Sequence, residues 1–267
     1  MLNSLWKEAE LSSESATPCW EIFHESSKTG HYDGALTNNQ VVEEMSNLYD
    51  VFPYKQFPSI KLPDTFAPVR RTFLEAVQNR VTPMQISAEK LSLEQLKTIL
   101  YCGYGVTRDN ADNEYIKRPF RTVPSGGALY PLELYFYVHD TVEGLEPGVY
   151  HYAPTENAVQ LIKPGIHDEQ IAEALVSFQT HLAYDTSLLI FITAVFNRSV
   201  FKYKEKGYRF ALLEAGHVAQ NINLAATALD LGVINIGGFH DRLVDRFMEI
   251  DGLNHATIYM NGICKRN

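Results

Sequence analysis

The chain has 267 residues, of which 45% are hydrophobic and 21% charged, as is typical of a globular protein with a substantial core. Its 32 acidic residues outnumber 23 lysines and arginines, the formal net charge is −9, and no long basic run occurs, which argues against nucleic-acid binding. No basic start precedes an apolar stretch and no run of about 18 apolar residues occurs, so we expect a cytoplasmic protein without a membrane span.

Residues 1–75 are predicted to form an accessory N-terminal segment, and residues 76–267 the main domain. Four prolines, Pro53, Pro58, Pro63 and Pro68, punctuate the end of the first part. Because proline fixes its own φ and disfavours helix in the residue before it, the stretch 55–68 is predicted to be an extended connector.

The first helix of the main domain is predicted from Ser92, which forms a capping box with Gln95 ahead of a stripe of leucine and isoleucine. Gly103 and Gly105 are predicted to end it. After a polar loop and a Gly126–Gly127 turn, residues 132–138 have the content of a buried strand, and 148–154 with 158–163 form a predicted hairpin.

The second half of the chain mixes helices and strands without a regular βαβ repeat, which predicts an α+β fold. In order, we expect a helix at 167–178, a buried strand at 187–196, a long helix from Gly207 to Leu231 capped by Gly232, a strand entering Gly237–Gly238, a short helix at 241–250 and a last strand at 256–263.

Two glycine-bearing turns are candidate ligand contacts. In PSGGALYP, Gly126 and Gly127 leave the backbone open to a flat ligand and Ser125 adds a hydroxyl donor. Gly237 and Gly238 similarly expose backbone amides after a strand. Each turn taken alone is also compatible with an ordinary connection between two elements. Neither a dinucleotide-binding GxGxxG nor a phosphate-loop pattern occurs in the sequence.

Other candidate groups lie around the long helix. Lys202 precedes Tyr203, and an ammonium stabilises a neighbouring phenolate, although a solvated surface run is the alternative. Glu214, His217, Gln220 and Asn221 stand among apolar residues; buried amides need partners, which a cofactor or a subunit interface would supply. No cluster of His, Cys and carboxylates has metal-ligand spacing, so no metal is expected.

These segments in this order resemble the nitroreductase-like flavoproteins, and within them the SagB-type dehydrogenases, which are azoline oxidases. The resemblance is carried by FHESSK at 23–28, KQFPSIKLP at 55–63, LSLEQLKTILYCGYGVTR at 91–108, PSGGALYPLELYFYV at 124–138, EGLEPGVYHYAP at 143–154 and YRFALLEAGHVAQNINLAATALDLG at 208–232. It implies a mainly antiparallel mixed sheet flanked by helices, in an intertwined homodimer that binds FMN at its interface.

The resemblance also implies roles for individual residues. Lys202 and Tyr203 match the family's adjacent catalytic Lys and Tyr. FMN is expected at Arg80, Ser125, Gly126, Gly127, Gly237 and Gly238, with Gln220 and Lys265 as further contacts. Relatives commonly carry RRSxR where this chain has RVTPM at 80–84, so Arg118 and Arg121 are additional candidates for the phosphate.

The expected activity is oxidation of thiazoline or oxazoline rings to thiazoles or oxazoles in a precursor peptide, beside a cyclodehydratase that makes the azoline. One alternative is a general NAD(P)H-dependent nitro- or quinone reductase. Another is a flavin-free scaffold subunit of a peptide-modifying complex.

Overall fold

The structure is a computed structural model that describes residues 19–28, 36–110, 112 and 118–266. Its centre is a seven-stranded sheet in the order β1–β6–β5–β4–β7–β9–β8, and neighbouring strands of this sheet pair antiparallel. The strands are β1 (Ser59–Lys61), β4 (Leu132–Val138), β5 (Gly148–Ala153), β6 (Ala158–Pro164), β7 (Leu188–Val195), β8 (Leu231–Ile236) and β9 (His255–Lys265). Strands β2 (Val106–Arg108) and β3 (Phe120–Arg121) form a separate ribbon.

Helices cover both faces of the sheet. They are α1 (Cys19–Ser26), α2 (Asn38–Ser46), α3 (Phe73–Asn79), α4 (Leu93–Tyr104), α5 (Asp168–Ala174), α6 (Leu182–Asp185), α7 (Asn197–Tyr203), α8 (Glu205–Ala228) and α9 (Asp241–Phe247). The predicted α+β fold with a mainly antiparallel sheet is confirmed. Within the described part of the chain, no helix is both long and apolar enough to span a membrane.

The two faces divide the core because side chains alternate along a strand. On β7, Ile190 and Ile192 face the cluster that contains α4 and α8, whereas Phe191 faces the cluster that contains α5 and α9. Every residue of β4 and β7 is buried, as expected for central strands covered on both sides.

The predicted start of α4 is confirmed. Of the two glycines predicted to end this helix, Gly105 does so and Gly103 does not. Ser92 and Gln95 form the capping box. Gly103 lies inside the helix, where an added Cβ would come within 2.9 Å of Ile222 Cγ1 on α8, and the helix ends at Gly105. Gly103 therefore permits close approach of α4 and α8.

Three other predicted helix boundaries are wrong. The predicted helix at 167–178 stops at Ala174, and the one at 241–250 stops at Phe247. The long helix runs from Glu205 to Ala228, and Gly232 lies within β8, not at a helix cap. Asp230, with φ of 61°, makes the reversal between α8 and β8.

The described N-terminal residues are tied to the main domain. Strand β1, within the predicted extended connector, pairs with β6. Arg118 donates to the carbonyl oxygens of Met45 and Leu48, and Arg121 donates to that of Asp50. The division into 1–75 and 76–267 stays a prediction, and the first four residues of FHESSK at 23–28 form the second half of α1.

Candidate active site

The PSGG turn has an unusually constrained backbone. It contains a short 3₁₀ turn at Gly126–Ala128, and Gly127 has φ of +65°. Ala128 and Tyr130 also have positive φ, which is uncommon for residues with a side chain. The Tyr130 N–H donates to Ser125 Oγ at 2.9 Å, which closes the turn.

Lys202 and Tyr203 lie directly against this turn. A Cβ added to Gly127 would stand 2.6 Å from Tyr203 Oη and 2.9 Å from Lys202 Nζ. The Lys202 ammonium is also 5.2 Å from the centre of the Tyr203 ring, and both side chains are half-buried. The structure thus brings the predicted catalytic pair and the predicted glycine turn together.

Helix α7, which carries this pair, is anchored to the sheet by a buried ion pair. Arg198 donates to Glu133 Oε1 on β4 at 2.7 Å, and both side chains are 1% exposed. Glu133 also accepts from the Phe52 N–H at 3.0 Å and contacts His151 Nε2 at 2.8 Å. Burial alone would raise the pKa of Glu133, but the Arg198 charge and His151 outweigh it and hold that pKa at about 2.

A second buried carboxyl, Glu214 of α8, lies behind the turn. The Tyr104 hydroxyl donates to Glu214 Oε1 at 2.7 Å. Burial raises the pKa of Glu214 to about 7, against the opposing effects of Ser125, Tyr104 and the Arg121 charge.

Glu133 is not among the candidates found in the sequence, and Glu214 is noted there only as a polar residue of the long helix, without a role. The signal is nevertheless present, since each carboxylate occurs within a segment predicted to be buried and a buried charge needs a partner. What the sequence does not disclose is which arginine, tyrosine or serine supplies that partner.

The second glycine pair lies at the same end of the sheet but not beside the turn. Gly237 and Gly238 are exposed and follow β8, and an added Cβ at Gly238 would meet nothing within 4 Å. Strands β7 and β9 stand between β8 and β4. At about 4.8 Å per strand, the glycine pair and the PSGG turn of one chain are separated by roughly 14 Å.

The predicted basic contacts form a third group. Arg266 donates to the Asn79 carbonyl at 2.6 Å and the Lys265 N–H donates to the Ser87 carbonyl at 2.9 Å, so the C-terminal strand runs beside the segment that carries Arg80. Lys265 pairs with Leu231, at the opposite end of β8 from the glycine pair and therefore about 20 Å away along the strand.

The remaining candidates are divided between surface and core. Gln220 and His217 are exposed on α8, so the expected burial of Gln220 is wrong, whereas Asn221 donates to the Cys102 carbonyl at 3.0 Å. Arg118 and Arg121 are buried, and Arg121 Nε and Nη1 have no hydrogen-bond partner among the described residues. The described residues contain no group of His, Cys, Asp and Glu able to hold a metal.

Residues 77–262 match the model of the nitroreductase family. The chain belongs to the nitroreductase family. It is 35% identical over 194 residues to a nitroreductase homologue of Methanocaldococcus jannaschii, and this match covers 72% of the chain and 89% of the relative.

Two further relatives are processing proteins of microcin B17 and of trifolitoxin. One is McbC, the microcin B17-processing protein of Escherichia coli, which is 28% identical over 61% of the chain and 58% of McbC. The other is TfxB, the trifolitoxin-processing protein of Rhizobium leguminosarum bv. trifolii, 28% identical over 61% of the chain and 44% of TfxB. The homology confirms the resemblance found in the sequence, over about half of each relative's length.

Solved structures share the fold. A nitroreductase homologue from Anabaena variabilis superposes with a TM-score of 0.70 and 23% identity, over 96% of this chain and 49% of that one. A chain of the Escherichia coli microcin synthetase McbBCD complex, with truncated pro-MccB17 bound, superposes with a TM-score of 0.58 and 21% identity, over 93% and 92% of the two chains.

Proposed function

We propose that this nitroreductase-family protein is an FMN-dependent oxidase of thiazoline or oxazoline rings in a ribosomally made precursor peptide. The observation that carries the proposal is the convergence of Lys202 and Tyr203 on Gly127 of the PSGG turn. Homology to two peptide-processing proteins favours a peptide substrate.

The residues present fit FMN. Gly237 and Gly238 leave open backbone for a flat ring, whereas Gly127 lies against Lys202 and Tyr203. The segments that carry Arg80 and Lys265 run side by side, and cationic side chains there would bind the phosphate. In a single chain, the PSGG turn, the Gly237–Gly238 pair and the segments with Arg80 and Lys265 lie several strand spacings apart. We therefore infer that a second copy of the chain completes each FMN site. FMN, when bound, supplies the two-electron oxidant that accepts a hydride.

An exposed apolar face supports this homodimer. Leu212 and Leu213, in the N-terminal half of α8, are 40% and 56% exposed. Helix α3, which begins beside the C-terminal end of α8, exposes Phe73, Leu74 and Val77. Gly216, one turn further along α8, has open space where a Cβ would stand. A helix face of this kind on a protein without a membrane-spanning helix in its described part suits close packing against a second copy.

The proposed reaction removes two hydrogens from adjacent ring atoms. One leaves as a proton, which Tyr203 takes up with the Lys202 ammonium 5.2 Å from the centre of its ring. The other would leave with its electron pair as hydride, which bound FMN would accept, and the ring would become aromatic. We place this activity in the cytoplasm, next to a cyclodehydratase that forms the azoline.

The test is the double variant Lys202→Ala, Tyr203→Phe with FMN bound. Loss of general-base catalysis is worth about 10²- to 10⁴-fold in turnover, so oxidation of an azoline peptide should nearly cease while the protein stays yellow. The matched control, Lys90→Ala with Tyr49→Phe, changes the same residue types at exposed positions and should keep full turnover. A fully active double variant would contradict the assignment.

A second candidate function is favoured by the long match to the Methanocaldococcus relative, namely a general NAD(P)H-dependent nitro- or quinone reductase. Rapid reduction of bound FMN by NADPH in a stopped-flow trace would support the reductase, and indifference to NADPH would support peptide oxidation. Purified protein that is colourless and takes up no added FMN would point instead to a scaffold subunit.

A further inference from the structure

A cavity of about 230 Å³ lies beside the proposed catalytic tyrosine. It is lined by residues 26–28, at the end of α1, and by residues 203–206, where α7 meets α8. Because Tyr203 is part of this lining, a group bound in the cavity contacts the residue that takes up the ring proton. The cavity is smaller than the roughly 300–1,000 Å³ of a pocket for a whole ligand, so it suits a single side chain.

The lining of the cavity is basic, although the whole chain is acidic. Lys28, Lys204 and Lys206 stand against one carboxylate, that of Glu205, in a protein whose formal net charge is −9. Lys28 already has a partner, since its ammonium lies 2.5 Å from a carboxylate oxygen of Glu25. The Lys204 side chain is exposed and forms no ion pair with any carboxylate of the described residues. The charge of the cavity therefore favours an anion as its ligand.

The backbone at Lys204 is strained. Lys204 has φ of 49° and ψ of −136°, the mirror image of extended backbone, which glycine adopts readily and other residues only at a cost in stability. Packing of α7 against α8 enforces this conformation, since the Lys204 N–H donates to the Val200 carbonyl at 2.7 Å and the Gly207 N–H donates to the Lys204 carbonyl at 2.9 Å. Folding alone would favour glycine at this position, so the presence of lysine indicates a role for its side chain.

The α1 side of the cavity is held in place by α8. Arg209 donates to Ser27 Oγ, and the Ser27 hydroxyl donates to the His24 carbonyl at 3.2 Å. Ser27 is 2% exposed, and the Phe23 ring packs edge-on against Tyr208 with ring centres 5.4 Å apart. The cavity is therefore a shaped part of the fold, with contacts that fix both of its sides.

We propose that this cavity is a subsite for an acidic side chain of the peptide substrate, bound next to the azoline ring by the Lys204 ammonium. The inference deepens the proposed oxidase function and rests on it. A substrate carboxylate is favoured over the cofactor phosphate, because Lys265 lies beside the start of β7 whereas the cavity follows the end of that strand. Lys204 acts in binding and exchanges no proton with the ring.

The test compares azoline peptides in matched pairs. One member of each pair carries glutamate at a position within two residues of the ring, and the other carries glutamine there. With the FMN-loaded protein, the glutamate peptide of one pair should have a kcat/KM about three- to tenfold higher, as expected for an ion pair at a partly exposed site. The difference should lie in KM with kcat unchanged, because Lys204 touches no reacting atom, and it should shrink at high salt.

Variants at Lys204 locate the effect. Lys204→Gln should raise KM for the glutamate peptide by the same three- to tenfold, which removes the preference, and Lys204→Arg should keep it. Lys204→Gly should behave like Lys204→Gln and fold without the backbone strain, since glycine suits this conformation. The matched control is Lys90→Gln, at an exposed lysine that pairs with Asp140 beyond the end of β4 remote from the PSGG turn, and it should keep the wild-type preference.

Equal kcat/KM values within every pair, in a wild-type protein that oxidises the peptides, would overturn the inference and leave the oxidase function intact. A glutamate preference that survives in both Lys204→Gln and Lys204→Gly would overturn it as well. Weaker FMN binding in these variants, with an unchanged glutamate preference, would assign the cavity to the cofactor phosphate instead. If the FMN-loaded wild-type protein oxidises no azoline peptide, the proposed function itself fails and this inference falls with it.

Discussion

Replacement of Gly127 by alanine should inactivate the protein far more than it destabilises it. A residue with a side chain at φ of +65° costs about 1–2 kcal/mol. The new Cβ would also stand 2.6 Å from Tyr203 Oη and 2.9 Å from Lys202 Nζ, about 1 Å inside normal contact. These atoms end side chains that can move aside, so the collision displaces the catalytic pair and adds little to the cost of folding.

Gly144→Ala is the matched control. Gly144 also has positive φ, +76°, but an added Cβ there meets no atom within 4 Å. Urea unfolding should therefore show similar losses of about 1–2 kcal/mol in both variants. Azoline oxidation should fall about 100-fold in Gly127→Ala alone, because a displacement of about 1 Å in a catalytic group costs that much. Equal turnover in the two variants would refute the placement of Lys202 and Tyr203 over the turn.

Three other outcomes are expected. Folding lowers the pKa of Glu133 from 4.5 to about 2, so the ionised carboxylate adds about 3 kcal/mol to the free energy of unfolding above pH 4.5. This contribution is lost as the pH falls towards 2. In urea unfolding, Glu133→Gln should lack this loss of stability at low pH and should be about 3–5 kcal/mol less stable than wild type at pH 7. Ser92→Ala removes the capping box of α4 and should cost about 1 kcal/mol by the same assay, whereas alanine at exposed Ser46, which caps no helix start, should cost less. Leu213→Glu should convert a dimer to a monomer in sedimentation velocity, while Leu253→Glu, at a leucine that is 83% exposed in the turn before β9, should not.

Local rules in the sequence predict the element types well. The capping box at Ser92 and the apolar runs of β4 and β7 depend on neighbouring residues only, and the structure confirms them. The ends of α5 and α8 are set differently. The Leu175 bridge to Phe239 ends α5 by a contact distant in sequence, and Asp230, not a glycine, takes the left-handed conformation after α8.

The candidate site is predictable to a smaller extent. The Lys202–Tyr203 pair and the PSGG turn were expected to act together, and their contact in the structure agrees with that expectation without testing their roles. Glu133 and Glu214 could not be assigned, because their partners lie 65 residues away at Arg198 and 110 residues away at Tyr104. Residue spacing along a chain carries no information on such contacts.

The hydrogen bonds between the N-terminal residues and the buried Arg118 and Arg121 determine where the chain can be truncated without loss of stability. Truncation at residue 75 would remove the carbonyl groups of Met45, Leu48 and Asp50 that accept from Arg118 and Arg121, and the Phe52 N–H that donates to Glu133. A buried polar group left without its partner costs about 1–3 kcal/mol, more when charged, against a total stability of about 5–15 kcal/mol. The shortened chain is therefore expected to lose most of its stability, so residues 45–52 are a structural part of the domain and not a removable extension.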